Sequence, residues 1–212
     1  SEEESEARRA GQLQNRTVVL VPDVPLAIRI PRFEVVRQSL TGTTVNYTIV
    51  VEGPGSSETL VRQFSEFRDL HEALNTKPFA YTLQALPYDW LFAHFSTTML
   101  ERQRRQLEAY IAALCSHSRV LLDDVIWSWL GVDDLTQAVV KLVAARAVRS
   151  EAEVHDCVAT LEGLIASGGE VNRCIHPSVL GVLRDVLRDG EGGEAAQAVA
   201  ARLLANLLAG SR

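Results

Sequence analysis

The sequence predicts an α+β fold, in which a three-stranded antiparallel sheet packs on helices and an all-α extension follows. Two observations support this prediction. β-Branched residues and turn signals are concentrated in the first third of the chain, before residue 64, and from there on helical periodicity dominates and strand composition disappears. With 212 residues, the chain is long enough for one large domain or two small ones.

The predicted strands lie between residues 17 and 63. The first segment, residues 17–39, is rich in β-branched residues and is interrupted by three prolines, which lack an amide hydrogen and so indicate short or edge strands. The second segment, TVNYTIVVEG, runs into the turn-rich hexapeptide GPGSSE, and the third strand follows around Thr59 to Val61. This order predicts an antiparallel meander.

Helices are predicted on either side of a long apolar loop. The first has Ser65 as its N-terminal cap and ends near Leu74. The loop, NTKPFAYTLQALPYDWLFAHFS, contains two prolines and no clean period. A second helix starts at a capping box of Thr98 and Glu101, and VLLDDVIWSWLGV is predicted to be one shorter helix that ends at Gly131.

The last third of the sequence predicts four amphipathic helices separated by Gly, Ser or Pro. Pro177 suits a first helical position and Gly168-Gly169 suits a helix exit. We therefore divide the chain into a disordered tail at 1–16, an α+β domain at 17–132 and a helical region at 133–212. The helical region is either a plain bundle or a short array that weakly resembles armadillo or HEAT-type repeats.

Composition excludes several classes of protein. The formal net charge of −6 argues against nucleic-acid binding, for which a strongly basic face is expected. Residues 17–131 contain ten Lys or Arg and twelve Asp or Glu, so this part has no polybasic surface either. No apolar run approaches the roughly 20 residues that span a bilayer. We expect a cytoplasmic protein.

The sequence lacks the common catalytic and metal-binding patterns, and we predict that the chain is not an enzyme. It has no G-x-S-x-G, H-E-x-x-H or P-loop motif, and its five histidines are scattered. The three cysteines form no C-x-x-C pair, which argues against a structural zinc site. We therefore predict no cofactor and no metal.

Three motifs in order carry a family resemblance. They are VRQFSEFRDLHEAL at the predicted strand-helix junction, LPYDWLFAHF in the proline loop and ERQRRQLEAYIAAL in the second helix. Together they make residues 26–131 resemble a PX (phox homology) domain of the sorting nexin type. The resemblance implies the PX fold and an inositol phosphate bound at the strand-helix junction.

The resemblance also identifies candidate site residues. In the family an aromatic residue stacks on the inositol ring, and Phe64 stands at that position here. Arg62 and Arg104 are the nearby candidates for phosphate contacts. Gln63 and Gln103 stand at positions where the family has phosphate-binding arginines, and the residues after Pro87 include Asp89, which would repel phosphate, instead of the family's lysine. We therefore expect a degenerate pocket.

Further candidates lie in the proline loop. Its aromatic and apolar residues suit the interface between water and lipid, and we select Tyr88, Trp90 and Leu91 as the membrane-insertion candidates. The structural alternative is that several of these aromatic residues pack beneath the loop.

These observations lead to ranked functional hypotheses. The first is a non-catalytic adaptor in endosomal trafficking that binds phosphoinositide membranes weakly or through a non-standard site, peripherally on endosomes. The second is a protein-protein interaction scaffold whose PX-like fold no longer binds lipid, with a protein partner on the helical region. A hydrolase with an unrecognised site ranks third.

Overall fold

The computed structural model describes residues 20–21, 24–38, 42–87, 96–167, 176–190 and 192–210. It confirms the predicted α+β fold class, because a three-stranded antiparallel sheet packs on helices and an all-helical segment follows. The tail predicted to be disordered, at 1–16, lies outside the described residues, as does the predicted helix exit at Gly168-Gly169.

The sheet is a meander of three strands in the order β1-β2-β3, namely β1 (Ala27–Gln38), β2 (Gly42–Gly53) and β3 (Ser56–Gln63). Pro31 lies where the pairing of β1 with β2 shifts register, between Arg29 and Arg32. A proline is tolerated there because an irregular edge position does not need its missing amide hydrogen. The core face of β2 carries Val45, Tyr47, Ile49 and Val51, which alternate along the strand as the pleat requires.

Eight helices and a short 3-10 turn (Ala80–Thr82) follow the sheet in the described residues. The helices are α1 (Phe64–Asn75), α2 (Thr97–Leu114), α3 (Ser118–Leu121), α4 (Asp124–Leu130), α5 (Asp134–Ala147), α6 (Glu151–Ala166), α7 (Pro177–Asp189) and α8 (Gly193–Gly210). The four helices predicted in the last third of the chain correspond to α5 to α8. Pro177 occupies the first turn of α7, as predicted.

Two predicted helix starts were wrong. The cap of α1 is Gln63 rather than Ser65, because Gln63 is still extended and its amide N donates to Glu66 Oε2 at 2.8 Å. The cap of α2 is Ser96 rather than Thr98, so the helix begins at Thr97 and the predicted capping box is absent. In both cases the helix begins earlier than the side-chain pattern suggested, because backbone geometry fixes the first turn.

The predicted closing helix is in fact two helices, α3 and α4. The first helix ends before Asp123. The Asp123 side chain accepts a hydrogen bond from Val125 N at 3.0 Å and caps α4. An acidic side chain at this position satisfies an amide of the first turn, so it starts a new helix instead of continuing the old one. The predicted end of α4 at Gly131 is confirmed, because Gly131 has a left-handed backbone with φ 62°.

The apolar residues form two clusters that share helix α5 as a wall. One side of α5 presents Val140 and Ala144 to the first cluster, which lies between the sheet and α1 to α4. Its other side presents Leu135 and Leu142 to the second cluster, which α6, α7 and α8 complete. A helix that is apolar on two sides is expected only where it is buried between two layers.

The turn between β2 and β3 also contacts α5. Gly53 lies so close to Thr136 that a Cβ atom on residue 53 would be 2.4 Å from Thr136 Cγ2. In addition, the hydroxyl oxygens of Ser56 and Thr136 are 3.0 Å apart, within hydrogen-bond distance. The sheet and the helical segment therefore meet at a contact without spare volume.

Candidate lipid-headgroup site

Arg62 is the last charged residue of β3 before the strand-helix junction, and it points to the core face of the sheet opposite Tyr47. Its Nη2 donates to the backbone oxygen of Trp129 at 2.8 Å, and its guanidinium lies 5.5 Å from the centre of the Trp129 ring. The Nη1 atom is 3.4 Å from a carboxylate oxygen of Glu66. The cation that sequence reasoning assigned to a headgroup thus binds α1 and α4 of its own chain.

Phe64, the predicted stacking residue, begins α1 and is only 5% exposed. It belongs to the first apolar cluster together with Phe67. A ring with so little exposed surface presents little of its face to a soluble headgroup.

Arg104 lies on α2 and is held at the other edge of the sheet. Its guanidinium donates to both carboxylate oxygens of Glu101, at 2.7 and 2.9 Å, and to Glu108 at 3.3 Å. It also donates to the backbone oxygen of Ile30 in β1, whose amide N donates to Glu108 at 2.6 Å. Arg104 therefore ties α2 to the irregular part of β1.

The electrostatics agree with this arrangement. Hydrogen bonding from Arg104 lowers the pKa of Glu101 to about 2, and the same contact raises the pKa of Arg104. The sequence contained a signal for these pairs, since Glu101 and Glu108 stand three and four residues from Arg104, at the spacing of helical ion pairs. Sequence reasoning missed both carboxylates.

The structure does not bring the two candidate arginines together. Arg62 is on β3 and Arg104 contacts β1, so the whole of β2 lies between them. Two interstrand spacings amount to about 10 Å. Each arginine is directed to a different set of neighbours within the fold.

Gln103 fills a position that the resemblance assigned to a phosphate-binding arginine. Its side chain is 0% exposed, and its Oε1 accepts a hydrogen bond from the Tyr47 hydroxyl at 2.6 Å. The pair fixes α2 against the centre of the sheet. A neutral amide is suited to this place because burying a charge costs far more than burying a hydrogen-bonded amide.

The described part of the proline loop begins with an aromatic and polar cluster beneath the 3-10 turn. The Phe79 ring packs 5.8 Å from the ring of His117, and Tyr81 is 59% exposed. Tyr81 is a further exposed aromatic in the loop that the candidate set did not include. The insertion candidates Tyr88, Trp90 and Leu91, together with Asp89, lie outside the described residues.

His117 holds this turn as a neutral donor. The Thr82 hydroxyl donates to the Phe79 backbone oxygen at 2.6 Å, and its oxygen is 2.7 Å from His117 Nε2. Since the hydroxyl has a single proton, Nε2 must donate to it, which leaves Nδ1 unprotonated. That Nδ1 atom is buried and has no hydrogen-bond partner among the described residues.

Acidification is therefore expected to destabilise the protein through His117. Burial lowers the pKa of His117, so below the ordinary value of about 6.5 the unfolded chain binds a proton that the folded chain does not. The free energy of unfolding should not depend on titration of His117 above that pH. Below it, this free energy should fall by up to about 1.4 kcal/mol per pH unit until the folded-state pKa is reached. Urea unfolding at pH 7.5 and 5.5 measures this loss.

The matched control for this prediction is His117→Gln, whose amide can still donate to Thr82 but cannot titrate. The variant should lose less stability than the parent chain between the two pH values. Equal losses in both proteins would show that other groups cause the pH dependence.

Other chemistry in the described part of the chain is sparse. No group of three or more His, Cys, Asp or Glu residues in it could hold a metal ion. Burial raises the pKa of the Cys115 thiol to about 12 and that of Cys157 to about 11, so neither is a reactive thiolate at neutral pH. Within the same residues, no helix is long and apolar enough to cross a membrane.

Comparison with known proteins finds a family match for part of the chain. Residues 51–133, less than half of the chain, match the family model of the PX domain. A solved structure described as "X-ray structure of a designed CISK-PX domain" is 27% identical, with a TM-score of 0.44, and the match covers 49% of this chain and 96% of that chain. No curated protein matches the sequence.

The family match extends from β2 to the residue before α5, so it includes β3, the strand-helix junction and α2. PX domains are in general non-catalytic modules that bind phosphoinositide lipids and target proteins to membranes. The resemblance to a PX domain predicted from sequence is confirmed over residues 51–133.

Proposed function

We propose that the protein is a non-catalytic, membrane-targeting adaptor of the sorting nexin type, whose PX domain binds phosphoinositides weakly or through a non-standard site. The observation that supports the proposal is that both candidate cations bind groups of their own chain. Arg62 binds Trp129 and Glu66, and Arg104 binds Glu101 and Glu108. A phosphate would have to compete with these contacts.

The energetic cost of that competition is considerable. Hydrogen bonds to charged groups contribute roughly 1.5–3 kcal/mol each, so releasing one arginine from two such contacts costs several kcal/mol before any lipid is bound. Each factor of ten in affinity corresponds to about 1.4 kcal/mol. The proposed headgroup affinity is accordingly low.

The apolar loop supports the membrane part of the proposal. Tyr81 is 59% exposed at the start of the loop, and the aromatic and apolar insertion candidates Tyr88, Trp90 and Leu91 follow in the sequence. Aromatic side chains are favoured at the boundary between lipid and water. Peripheral attachment to endosomal membranes is the location that we propose for this activity.

Introducing the missing cation should strengthen lipid binding. Gln63 is half-buried at the start of α1, where the helix dipole favours an anion, and Gln63→Arg adds a guanidinium at that end. We expect an affinity gain of about tenfold for liposomes that contain phosphatidylinositol 3-phosphate, since one charge-assisted hydrogen bond is worth roughly 1.5 kcal/mol or more. Co-sedimentation across a panel of phosphoinositides provides the measurement.

The matched control is Ser57→Arg, an exposed position on β3 six residues before Gln63, about 20 Å from the junction at the rise of a strand. It adds the same charge without reaching the junction. Equal gains in both variants would mean that only net charge changed. Submicromolar binding by the unmodified chain would contradict the proposal of a weak site.

A second candidate function is favoured by the same internal contacts. If Arg62 and Arg104 serve only the fold, the protein is an interaction scaffold in which the PX fold no longer binds lipid and the helical region binds a protein. The organisation that we propose remains a PX-like part at 17–132 and a helical part at 133–212, either a bundle or a short armadillo-like or HEAT-like array. Absence of binding to every liposome in the panel would favour this alternative.

A further inference from the structure

A continuous cleft runs from the 3-10 turn to the helical segment. It consists of a cavity of about 430 Å³ over α5 and α6 and a neighbouring cavity of about 210 Å³ beside Phe79. The two cavities share Leu122 and Glu153 as walls, so together they form one elongated depression. We call this depression the α5–α6 cleft.

The floor of the cleft is apolar and the rim is acidic. Leu122, Ala138, Cys157 and Leu164 supply apolar surface. The lining includes two cations, Arg119 and Lys141. It also includes five carboxylates, namely Asp123, Asp124, Asp134, Glu153 and Asp156. This balance repels phosphate and other anions and attracts a cation.

Both cations of the cleft already face carboxylates of the same protein. Lys141 Nζ is 2.5 Å from Asp124 Oδ1, and Arg119 Nη1 is 3.9 Å from Glu153 Oε1. Asp134 and Asp156 are exposed and form no ion pair within the described residues. Their charges are available to a ligand.

Glu153 supplies an independent observation at the centre of the cleft. Its Oε2 atom is buried and accepts no hydrogen bond from the described residues. The side chain as a whole is 37% exposed and its Oε1 atom is 3.9 Å from Arg119 Nη1, so the carboxylate keeps a charge that a donor can reach. A donor from a bound molecule would satisfy the carboxylate after a rotation of its terminal bond, which is a soft torsion.

We propose that the α5–α6 cleft is the docking site for a short peptide segment of a partner protein that combines large apolar side chains with Lys or Arg. The apolar side chains cover the floor, and the basic residues meet Asp134, Asp156 and Glu153. Because Leu122 also packs with both apolar clusters, the bound peptide contacts the PX domain and the helical segment together. This site goes beyond the lipid function and deepens the scaffold role, since it names the partner's chemistry.

The field inside the cleft is consistent with this assignment. Burial raises the pKa of the Cys157 thiol on the floor, the positive charge of Lys141 lowers it, and the negative charges of Glu153 and Asp156 raise it. A cation entering the cleft would therefore be stabilised by several carboxylates at once, in a partly desolvated place where charge interactions are stronger than in bulk water.

The test begins with the full chain and a display library of random 12-residue peptides. The selected peptides are expected to carry net positive charge and at least two large apolar residues. One selected peptide is then labelled with fluorescein and titrated by fluorescence anisotropy. Selection of acidic peptides, or of none, would overturn the proposal.

Two variant pairs locate the site. Asp134→Asn with Asp156→Asn should weaken binding of the labelled peptide at least tenfold, whereas Asp69→Asn with Glu194→Gln, which removes the same charge from exposed sites elsewhere, should change it less than twofold. Thr160→Arg, at the exposed rim, should also abolish binding, whereas Ala159→Arg beside it, exposed and outside the cleft lining, should not.

The outcomes separate this proposal from the lipid function. The cleft variants should bind phosphoinositide liposomes as the parent chain does, because the cleft lies away from the β3–α1 junction. Equal loss of peptide binding in the cleft variants and their controls would place the peptide elsewhere and reject the cleft. Failure of liposome binding in the parent chain would instead reject only the lipid role.

Discussion

A chain that ends at Val132 is expected to unfold or to lose most of its stability, although the sequence suggests this position as the end of the PX-like part. Truncation there removes α5, whose Val140 and Ala144 are 0% exposed within the first apolar cluster. Val143 and Ala147 pack against the same cluster. Burial of an aliphatic side chain stabilises by roughly 1–3 kcal/mol, so the loss is comparable to the whole stability of 5–15 kcal/mol typical of a domain.

The comparison that tests this expectation is a chain ending at Val148, which keeps α5. This longer chain also carries Leu135→Gln and Leu142→Gln, because removal of α6 to α8 exposes both leucine side chains to solvent. Circular dichroism and urea unfolding should show a cooperative transition for the longer chain and little or none for the shorter one. If the chain ending at Val132 unfolds cooperatively with stability close to that of the longer chain, α5 does not belong to the first core.

Gly53→Ala is expected to destabilise the protein by about 1–3 kcal/mol, the cost of overpacking a filled contact. The new Cβ would lie 2.4 Å from Thr136 Cγ2, and Thr136 is fully buried, so neither side can move away freely. The strain falls on the contact between the β2–β3 turn and α5. Chemical unfolding of the variant gives the free energy directly.

A double-mutant cycle shows whether the effect arises at this contact. Thr136→Ala removes the clashing Cγ2 and Oγ1 atoms, so Gly53→Ala should cost less in that background, even though Thr136→Ala alone loses its hydrogen bonds to Asp133 and Ser56. If Gly53→Ala costs the same in both backgrounds, its effect comes from the backbone of residue 53 and the packing explanation fails.

The correct predictions from sequence were those governed by local rules. The change from β-branched segments to helical periodicity fixed the α+β class and the meander. Gly131 and Pro177 fixed a helix end and a helix start through their backbone preferences alone. Motif order over the strand-helix junction and α2 was enough to predict the resemblance to a PX domain, which the family match over 51–133 supports.

The incorrect predictions concern helix boundaries, where residue type alone does not fix the position of the first turn. Ser65 and Thr98 are good capping residues by type, yet the chain enters each helix earlier, at Gln63 and Ser96. The closing helix divides because Asp123 caps α4 and also meets Lys77 at 2.8 Å. The cap is a local contact, whereas the ion pair between Asp123 and Lys77 joins residues far apart in sequence and leaves no periodic signal.

The candidate site shows the same division. Sequence alone placed the neutral residues Gln63 and Gln103 where the family resemblance implies cations, and it identified Arg62, Phe64 and Arg104 as candidates. Only the tertiary structure decided that Phe64 is buried, that Arg62 binds Trp129 and Glu66, and that Arg104 binds β1 and its own helix. The physical reason is that a sequence pattern reports which groups can bind a phosphate, whereas burial and competing partners determine whether those groups are free to do so.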